Sequence, residues 1–538
     1  MSSIPSSATI SSEPVIHKYS IDIEVPKEKN LHQLVEKGCL KDPKKVIFTQ
    51  IDGEEEESLT GEDLSEGSAE LGKALRKRGL KKGDKVTICM ENHLHFPIIM
   101  LATLRNGAIV HLVNPGSVEV DISQQLKAAK PRFVFYSSKV TYSIQEIAPN
   151  LTSVDAAFLM NTKQLGLLLE EGKADKGNPP LVGGDSDPAF LVYSSGTTGN
   201  PKGILLSHRS LIFSVTSYKR LINLEPNDIL LNILSFSHLG STGVILSSLS
   251  TGSRMVFKSW VMNFDLADYI QILGKYHVNV LPMSPYIGLF FLKHPKVVNK
   301  ELGNVKTVIL GSAPVSAEMM KNLMNALPQA NIIEGYGQAE APLMTHCTLK
   351  GVWKPGSCGK VAPFYESKIV NPSGSLAEPG EQGLVHVRGP QIMNGYLNPE
   401  ENNGQMVDSD GWLNTGDLGY YDEDGFYFIV DRSKEIIKWK DKQISPVELE
   451  HILNKHPAVL DAVVVAKQDT EDGQVPVAFV VKMSSHQDLK EEELRKFVDD
   501  QVEDWKKLRG GVRFVDSIPK TVTGKPRRGV MREKLVSQ

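Results

Sequence analysis

Two apolar runs enclose the stretch Tyr193-Ser194-Ser195-Gly196-Thr197-Thr198-Gly199-Asn200-Pro201-Lys202-Gly203. The runs, residues 189–193 and 204–206, each predict a strand. The stretch holds three glycines, four Ser/Thr hydroxyls and one lysine. Glycine permits a tight turn whose backbone N–H groups point inward, which suits phosphate oxygens, and the hydroxyls and the lysine add further donors. We therefore predict a phosphate-binding loop between two strands.

The same composition also fits a simpler structure. Gly/Ser clusters between strands commonly form an ordinary hairpin turn. A Walker A loop fits poorly, because it needs the order Gly-x4-Gly-Lys-Ser/Thr and leads into a helix, whereas this stretch leads into a strand. The order of all eleven residues is much more specific than their composition.

Length and composition indicate a multidomain globular protein. A chain of 538 residues is longer than one hydrophobic core usually supports. Its hydrophobic content of 41% and charged content of 23% are ordinary, and a net charge of −4 argues against a dedicated nucleic-acid binder. The cysteines have no paired spacing, so we interpret them as reduced thiols of an intracellular protein: Cys39, Cys89, Cys347 and Cys358.

The ends of the chain predict no targeting signal. Residues 1–13 are rich in serine and lack the basic and apolar regions of a signal peptide, so we assign residues 1–20 to a disordered tail. The most apolar window, 94–113, contains Arg105 and His111 and is too polar to span a bilayer. The chain ends in Val-Ser-Gln and not in the peroxisomal Ser-Lys-Leu signal. We expect a cytoplasmic protein.

The first part of the chain predicts an α/β body made of two related halves. The order strand, helix, glycine, strand occurs twice at nearly the same length, at residues 86–113 and 229–257. Such units build parallel sheets with helices packed on their faces. Two more buried strands, at 307–310 and 331–333, flank a helix at 317–326.

The pattern changes near Gly359. Short strand candidates alternate with Gly/Pro turns and predict a small antiparallel β-subdomain. After Asp431 the remaining residues suffice for a separate α+β domain. Its predicted strands and helices lie at 435–439, 446–454, 460–466, 475–481 and 490–502. We predict an N-terminal domain at 21–431 and a small mobile C-terminal domain at 432–538.

Five further polar stretches follow predicted strands or lie in the C-terminal part. They are Ser235-Phe236-Ser237-His238-Leu239-Gly240; Gly311-Ser312-Ala313-Pro314; Glu334-Gly335-Tyr336-Gly337-Gln338-Ala339-Glu340-Ala341; Gly411-Trp412-Leu413-Asn414-Thr415-Gly416-Asp417 with Asp431-Arg432; and Lys438-Trp439-Lys440-Asp441-Lys442-Gln443 with Pro519-Lys520-Thr521-Val522-Thr523-Gly524-Lys525. Each alone also fits a turn, a helix start or an exposed basic face. In this order, and with the glycine-rich stretch, they resemble the adenylate-forming superfamily of acyl-CoA ligases, 4-coumarate–CoA ligase and beetle luciferase. The resemblance runs from about residue 30 to the end.

The resemblance implies a nucleotide site with ATP and Mg²⁺ as cofactors. Tyr336 would pack against adenine, and Glu340 would hold Mg²⁺. Asp417 would accept hydrogen bonds from the ribose hydroxyls, and Arg432 would complete the site. The loop residues implied around the phosphates are Ser194, Ser195, Gly196, Thr197, Thr198, Gly199 and Lys202.

Two residues of the implied nucleotide site depart from the family pattern. The stretch around Gly335 usually reads Gly-Tyr-Gly-x-Thr-Glu in the family. Ala339 stands where that threonine hydroxyl would reach a phosphate, and Glu334 stands where many relatives carry glutamine.

The resemblance also implies an acyl pocket. His238 would line it beside the reacting carboxylate, and Gly311, Ser312 and Ala313 would form a wall between the acyl group and adenine. Gly240 stands where the family often has an aromatic residue, which leaves room for an extended acyl chain or a bulky aryl group.

The C-terminal residues would serve two successive reactions. Lys525 is the implied adenylation lysine, and Lys438 belongs to the face that turns to the site for thioester formation. Lys440 would contact CoA, Gln443 the nucleotide, and Lys434 falls at the hinge. The family commonly has glycine at the position of Asp441.

Several substrates fit the implied acid–thiol ligase. Amino-acid-adenylating relatives use an acidic side chain near His238, but residues 235–246 contain no Asp or Glu. We therefore expect a non-amino acid, either an arylpropenoate or a medium- to long-chain fatty acid, and give luciferase activity less weight. The alternative is a nucleotide-binding homologue that has lost ligase activity, which Ala339 and Asp441 motivate.

Overall fold

Strands and helices alternate along most of the chain in the computed structural model, which describes residues 15–19, 23–175, 177, 183–193, 202–259, 266–293, 302–398, 407–440, 442–520 and 525–536. Numbered along the chain, the strands are β1 (His17–Lys18), β2 (Val46–Asp52), β3 (Glu55–Thr60), β4 (Lys85–Cys89), β5 (Ile109–Leu112), β6 (Phe133–Tyr136), β7 (Ala156–Leu159), β8 (Pro188–Tyr193), β9 (Gly203–Ser207), β10 (Ile229–Asn232), β11 (Arg254–Lys258), β12 (Val280–Met283), β13 (Thr307–Leu310), β14 (Asn331–Gln338), β15 (Ala341–Cys347), β16 (Lys360–Val361), β17 (Glu366–Val370), β18 (Gly383–Arg388), β19 (Gly395–Tyr396), β20 (Leu413–Tyr421), β21 (Tyr427–Arg432), β22 (Ile437–Trp439), β23 (Lys442–Ile444), β24 (Val459–Asp469), β25 (Gly473–Lys482) and β26 (Val512–Phe514).

The helices lie mostly between strands of the two large sheets. They are α1 (Leu31–Cys39), α2 (Gly61–Lys77), α3 (His95–Arg105), α4 (Glu119–Ala129), α5 (Thr141–Ile147), α6 (Thr162–Ala174), α7 (His208–Ile222), α8 (Leu239–Thr251), α9 (Leu266–Lys275), α10 (Pro285–Lys293), α11 (Ala317–Ala326), α12 (Pro446–Leu453), α13 (Glu491–Asp499) and α14 (Arg528–Val536).

Two large sheets form the body. One has the order β19-β9-β8-β5-β4-β6-β7, and the other has the order β16-β15-β14-β13-β12-β10-β11-β2-β3. The units β4–α3–β5 and β10–α8–β11 each place two parallel strands side by side. Their strands are apolar on both faces, as at the adjacent buried residues Leu230 and Leu231 of β10, because helices cover both sides. The predicted α/β body of two halves is confirmed.

Helix α8 fixes one edge of the candidate site. Its residues 241–251 are all buried, although six of them are Ser or Thr. Ser247, Ser250 and Thr251 satisfy their hydroxyls by hydrogen bonds to carbonyls within the helix. An added Cβ at Gly38 of α1 would lie 2.4 Å from the carbonyl oxygen of Ser250, so the two helices approach closely. His238 is the residue directly before this buried helix, in the connection from β10.

A smaller antiparallel sheet, in the order β1-β17-β18-β20-β21, follows the body in sequence. It corresponds to the predicted β-subdomain. Its first strand comes from the opposite end of the chain, because His17 pairs with Ser367 and Lys18 with Glu366. The pattern of the first residues did not indicate this strand, which lies inside the segment assigned to the disordered tail.

The C-terminal residues form a separate sheet with its own core. The order is β23-β22-β25-β24, with β26 beside β25. Ile437, Leu449, Val464 and Val480 share a core that contains no residue of the body. A buried ion pair between Arg528 and Glu450, 2.7 Å apart, fastens α14 to α12.

The predicted elements of the C-terminal part are present with shifts of a few residues at their ends. The exact domain limits at residues 21, 431 and 432 stay predictions. Among the helices in the described part of the chain, none combines the length and apolar character that a membrane crossing requires.

Candidate active site

The carboxylate of Asp417 is the meeting point of the body and the small sheet. The phenol of Tyr336, near the end of β14, donates a hydrogen bond to Asp417 Oδ2. Arg432 Nε lies 2.7 Å from Asp417 Oδ1. Asp417 is 3% exposed, so burial raises its pKa even though Arg432 and Tyr336 act in the opposite direction. Three of the residues predicted for the nucleotide site, Tyr336, Asp417 and Arg432, are therefore in contact.

Strand pairing explains how these groups meet. Asp417 on β20 and Arg432 on β21 are direct cross-strand partners. Gly416 before them has φ of 73°, a left-handed conformation that suits glycine, and its carbonyl accepts from Ser433 N–H at 2.9 Å. Arg432 also donates to the carbonyl oxygen of Thr415 at 3.2 Å, which fixes the guanidinium beside the carboxylate.

Glu340, like Asp417, is a buried carboxylate among the residues predicted for the site. It is buried, and Tyr396 donates a hydrogen bond to its Oε1 at 3.1 Å. Lys202, the lysine of the glycine-rich stretch, lies over the ring of Tyr396 with Nζ 5.2 Å from the ring centroid. Pairing of β19 with β9 brings this tyrosine next to Lys202. Tyr396 thus connects the predicted phosphate loop to the predicted metal ligand.

Lys525 enters the site from the C-terminal part. Burial lowers its pKa, and Arg432 lowers it further, while Asp417 and Glu340 oppose the shift. The pKa of His238 is lowered to about 4 by burial and then by Lys525, so its ring is neutral near pH 7. These mutual effects require that Lys525 lie among the residues of the body predicted for the site.

Two glycines of α8, Gly240 and Gly243, lie close to His238 and to Leu343 respectively. An added Cβ at Gly240 would meet only the His238 ring, at 3.1 Å. One helical turn further, a Cβ at Gly243 would lie 2.1 Å from Leu343 Cδ2, so the leucine already fills that space. Leu343 has φ of 67°, which is unusual for a branched residue. The room expected over Gly240 stays a prediction, since a Cβ there would already lie in close contact with the His238 ring.

The loop after β13 lies beside the end of β14. Ser312 has φ of 73°, and Gly311 approaches the carbonyl of Gly335, where an added Cβ would lie 3.5 Å away. Glu334 pairs with Leu310 in the ladder. Burial raises the pKa of the Glu334 carboxyl to about 8, against a backbone hydrogen bond involving Val315. Glu334 is therefore mostly protonated near pH 7 and resembles the glutamine of the family pattern in charge.

Ala339 contacts an apolar environment. It is half-buried and packs against the main core of the body, as Tyr336 and Leu343 also do. Its methyl group therefore has a defined place between β14 and β15. Whether a hydroxyl at this position would reach a phosphate stays a prediction.

The other predicted C-terminal residues lie on the β22–β23 hairpin. Lys438 pairs with Gln443 across this hairpin, and both are exposed. Lys440 forms an ion pair with Asp472, with Nζ 2.9 Å from Oδ1. Their described contacts lie within the C-terminal part, and Lys434 is exposed beside β21. The predicted roles of Ser194, Ser195, Gly196, Thr197, Thr198, Gly199 and Asp441 fall outside the described residues.

The sequence motifs did not include three contributors to the site. Tyr396 follows a glycine in a short strand, and Leu343 follows a proline, so neither has a polar pattern to mark it. The His346 ring lies between those of Tyr336 and Tyr427 and is tilted to both, with centroid distances of 5.7 Å and 4.3 Å. Tyr336 and His346 are direct cross-strand partners on β14 and β15. A prediction that these two strands pair would have placed the two rings in contact.

Comparison with known proteins assigns a family to this arrangement. Residues 35–397 match the AMP-binding enzyme family, and residues 448–525 match the AMP-binding enzyme C-terminal domain. The chain belongs to the AMP-binding enzyme family. The implied superfamily resemblance is confirmed, and Lys525 is the last residue of the matched C-terminal domain.

Similar proteins span nearly the whole AMP-binding enzyme. The chain is 34% identical to 4-coumarate–CoA ligase of Vanilla planifolia, over 96% of this chain and 95% of the relative. It is 36% identical to 4-coumarate–CoA ligase 3 of Oryza sativa, over 90% and 89%. The solved structure of ATP-bound MatB from Rhodopseudomonas palustris has the same fold, with a TM-score of 0.85 at 24% identity over 94% of this chain and 98% of that one.

The raised pKa of Glu334 predicts a pH-dependent stability difference. The folded carboxyl has a pKa of about 8 against an ordinary 4.5, so the stability present below pH 4.5 is lost as the pH rises toward 8. Glu334→Gln is neutral throughout this range. Relative to the native chain, its free energy of unfolding should rise by about 1–3 kcal/mol between pH 5 and pH 9. This is less than the whole pKa shift corresponds to, because water still reaches the site.

Thermal unfolding of both proteins at several pH values measures this difference. Glu423→Gln, at an exposed carboxylate, is the matched control and should show no such trend. Parallel curves for the native chain and Glu334→Gln would contradict a protonated Glu334.

Proposed function

We propose that this enzyme activates a non-amino carboxylic acid with ATP and then transfers the acyl group to CoA. The observation that carries the proposal is the position of Lys525, which the C-terminal part brings to Asp417, Glu340 and Arg432. The 4-coumarate–CoA ligases to which the chain is similar support an AMP-forming acid–thiol ligase. The substrates are a small carboxylic acid, ATP and CoA.

The first step joins the acid to AMP. A carboxylate oxygen of the substrate attacks the α-phosphorus of ATP, the bond to the bridging oxygen of the β-phosphate breaks, and pyrophosphate leaves with the electron pair. Charge develops on the phosphate oxygens, and fixed cations lower the barrier without reorganisation. Lys525 and Arg432 are the cations that the described residues provide. His238 is neutral, so it does not stabilise the bound substrate carboxylate by charge before the reaction.

Mg²⁺ is part of the same proposal, with Glu340 as its protein ligand. Mg²⁺ is usually held by one or two carboxylates together with substrate phosphates and water. Glu340 fits this pattern, because it is a single buried carboxylate oriented by Tyr396. No group of three or more His, Cys, Asp or Glu side chains suited to a metal occurs among the residues described. When bound, the ion would neutralise charge on the phosphates.

The second step releases AMP. The sulfur of CoA attacks the acyl carbon, the bond between that carbon and the AMP oxygen breaks, and the thiol proton passes to solvent. We assign this step to a second arrangement in which the hairpin with Lys438, Lys440 and Gln443 faces the site. Two successive reactions at one place require different groups, and a moving C-terminal domain provides them.

The acid is an arylpropenoate or a medium- to long-chain fatty acid. The absence of Asp and Glu from residues 235–246 opposes an amino acid substrate, and a glycine at position 240, where the family often has an aromatic residue, suits an extended or bulky acyl group. The four cysteines are buried free thiols, which supports a reducing compartment such as the cytoplasm.

Separate assays of the two half-reactions test the proposed roles. Lys525→Ala should lower acid-dependent pyrophosphate release by about 10²–10³-fold, the cost typical of removing one group that stabilises developing charge. It should spare thioester formation from a supplied acyl-adenylate. Lys438→Ala, the matched exposed lysine, should show the opposite bias. Equal damage to both steps in both variants would contradict the two arrangements.

Acids of increasing length test the pocket over Gly240. Each added methylene should raise kcat/KM about fourfold until the pocket is full, since a buried methylene contributes about 0.8 kcal/mol. Gly240→Phe should shift the preference toward short acids, with Gly240→Ala between the two. A preference that does not change in either variant would show that position 240 does not bound the pocket.

Ala339→Thr distinguishes an active ligase from a nucleotide-binding homologue without ligase activity. A hydroxyl that bonds a phosphate oxygen in the transition state contributes about 1.5–3 kcal/mol, or about tenfold to a hundredfold in rate. Water in its place recovers part of this effect. We expect faster adenylate formation in Ala339→Thr and no gain in Ala339→Val, which has the same shape without the hydroxyl.

Rates of pyrophosphate release with ATP and a panel of acids give the result. Activity in Ala339→Thr but none in the native chain with any acid would establish the homologue without ligase activity. A lower rate in Ala339→Thr than in the native chain would mean that the site is rebuilt around alanine.

A further inference from the structure

Lys520 contacts both the C-terminal part and the body. Its Nζ lies 2.7 Å from Asp461 Oδ2, on β24 of the C-terminal sheet. The same ammonium lies 4.8 Å from the ring centroid of Tyr286, on α10 of the body. One lysine therefore makes an ion pair within its own unit and a cation–π contact across to the other.

The position of Lys520 is coupled to that of Lys525. Lys520 pairs with Pro526 in an antiparallel bridge, and Arg527 N–H donates to the carbonyl of Pro519 at 2.8 Å. These two contacts hold Pro526, the residue directly after Lys525, beside Lys520. Pro526 also restricts the backbone of Lys525 to extended conformations. A contact that fixes Lys520 therefore also fixes the backbone next to Lys525, the proposed adenylation lysine.

Tyr286 lies close to the acyl side of the site. It is the second residue of α10, which follows β12, and β12 lies between β10 and β13 in the sheet. The loops after β10 and β13 carry His238 and Gly311. Tyr286 is 51% exposed, so its ring is at the surface where the C-terminal part meets the body.

The two contacts of Lys520 respond differently to a domain movement. Asp461 belongs to the same sheet as the rest of the C-terminal part and moves with Lys520. Tyr286 belongs to the body, so rotation about the connection near Asp431 separates it from Lys520. The ion pair persists in both arrangements, whereas the cation–π contact exists only when Lys525 is in the site.

We infer that Tyr286 is a positioning residue for adenylation, which it favours by holding Lys520, and through the Lys520–Pro526 bridge also Lys525, against the body. The inference rests on the proposed two-step function. Tyr286 does not touch the reacting atoms in this role. Its ring changes the balance between the arrangement for adenylate formation and the arrangement for thioester formation.

Half-reaction kinetics of Tyr286 variants test the inference. Tyr286→Leu should lower acid-dependent pyrophosphate release at saturating acid by about two- to fivefold, the change expected for a partly exposed cation–π contact. Thioester formation from a supplied acyl-adenylate should be unchanged or faster. Tyr286→Phe retains the ring and should behave as the native chain. The assay uses 4-coumarate and a series of fatty acids.

Three results would overturn the inference. No change in Tyr286→Leu would mean that the contact does not affect adenylation. Equal loss in Tyr286→Phe and Tyr286→Leu would assign the effect to the hydroxyl. A raised KM for the acid with unchanged kcat would make Tyr286 a wall of the substrate entrance. Unfolding temperatures of the variants should match the native chain, since the residue is at the surface.

A cross-link gives a readout that is independent of activity. Tyr286→Cys and Lys520→Cys in one chain, treated with a short bismaleimide, should join the two parts, and neither single variant should react in this way. The four native cysteines are buried and do not compete. The joined protein should keep pyrophosphate release and lose thioester formation.

The cross-link separates failure of the inference from failure of the proposed function. Absence of joining overturns the position of Lys520 beside Tyr286 even in an active ligase. Joining in a protein that releases no pyrophosphate with any acid confirms the contact and contradicts the ligase activity. Joining that leaves both half-reactions intact overturns the role of the contact in the domain movement.

Discussion

The buried carboxylate of Asp417 is the constraint on which the rest of the site depends. A buried charge is costly unless it is paired and hydrogen-bonded. Its partners come from separate elements: Tyr336 from the large sheet and Arg432 from the small one. The small sheet must therefore dock with β20 and β21 facing the end of β14. The nucleotide site and the packing of the two sheets satisfy the same electrostatic requirement.

A series of tilted aromatic contacts and one hydrogen bond lies behind Tyr336. Tyr336 contacts His346, His346 contacts Tyr427, and the Tyr427 hydroxyl lies 2.9 Å from Nδ1 of His17. Burial lowers the pKa of His346 to about 3 and that of His17 to about 4. Both rings are therefore neutral and add no charge behind the carboxylate. The short strand β1 therefore packs behind the predicted nucleotide site, although it precedes residues 35–397, which match the family.

Residues that carry polar chemistry were predictable from the sequence, and those that act by shape were not. Asp417, Arg432, Glu340 and Lys525 stand in recognisable polar motifs, and the structure brings all four together. Leu343 acts through a left-handed backbone and a contact with Gly243, a residue about a hundred positions away in the chain.

The fold shows the same division between local and long-range information. Helix α11 and strand β13 were predicted with their exact ends, since turns and polar residues flank their apolar patterns. The pairing of β1 with β17 joins residues far apart in sequence, and two residues carry no usable periodicity. The contact between Lys520 and Tyr286 could not be predicted from the sequence either, because no sequence pattern links the two residues.

Electrostatics makes the docking of Lys525 dependent on the charge in the site. Its lowered pKa shows that the docked position disfavours the ammonium relative to water, because burial and Arg432 outweigh Asp417 and Glu340. Neutral His238 does nothing to offset this imbalance. In the proposed reaction a bound polyphosphate adds several negative charges at this point and reverses the balance. Release of pyrophosphate removes part of that charge and weakens the hold on Lys525. In this proposal, loss of the pyrophosphate charge in the first step favours movement of Lys525 out of the site. The cation–π contact between Lys520 and Tyr286 opposes that movement and must break before the second step.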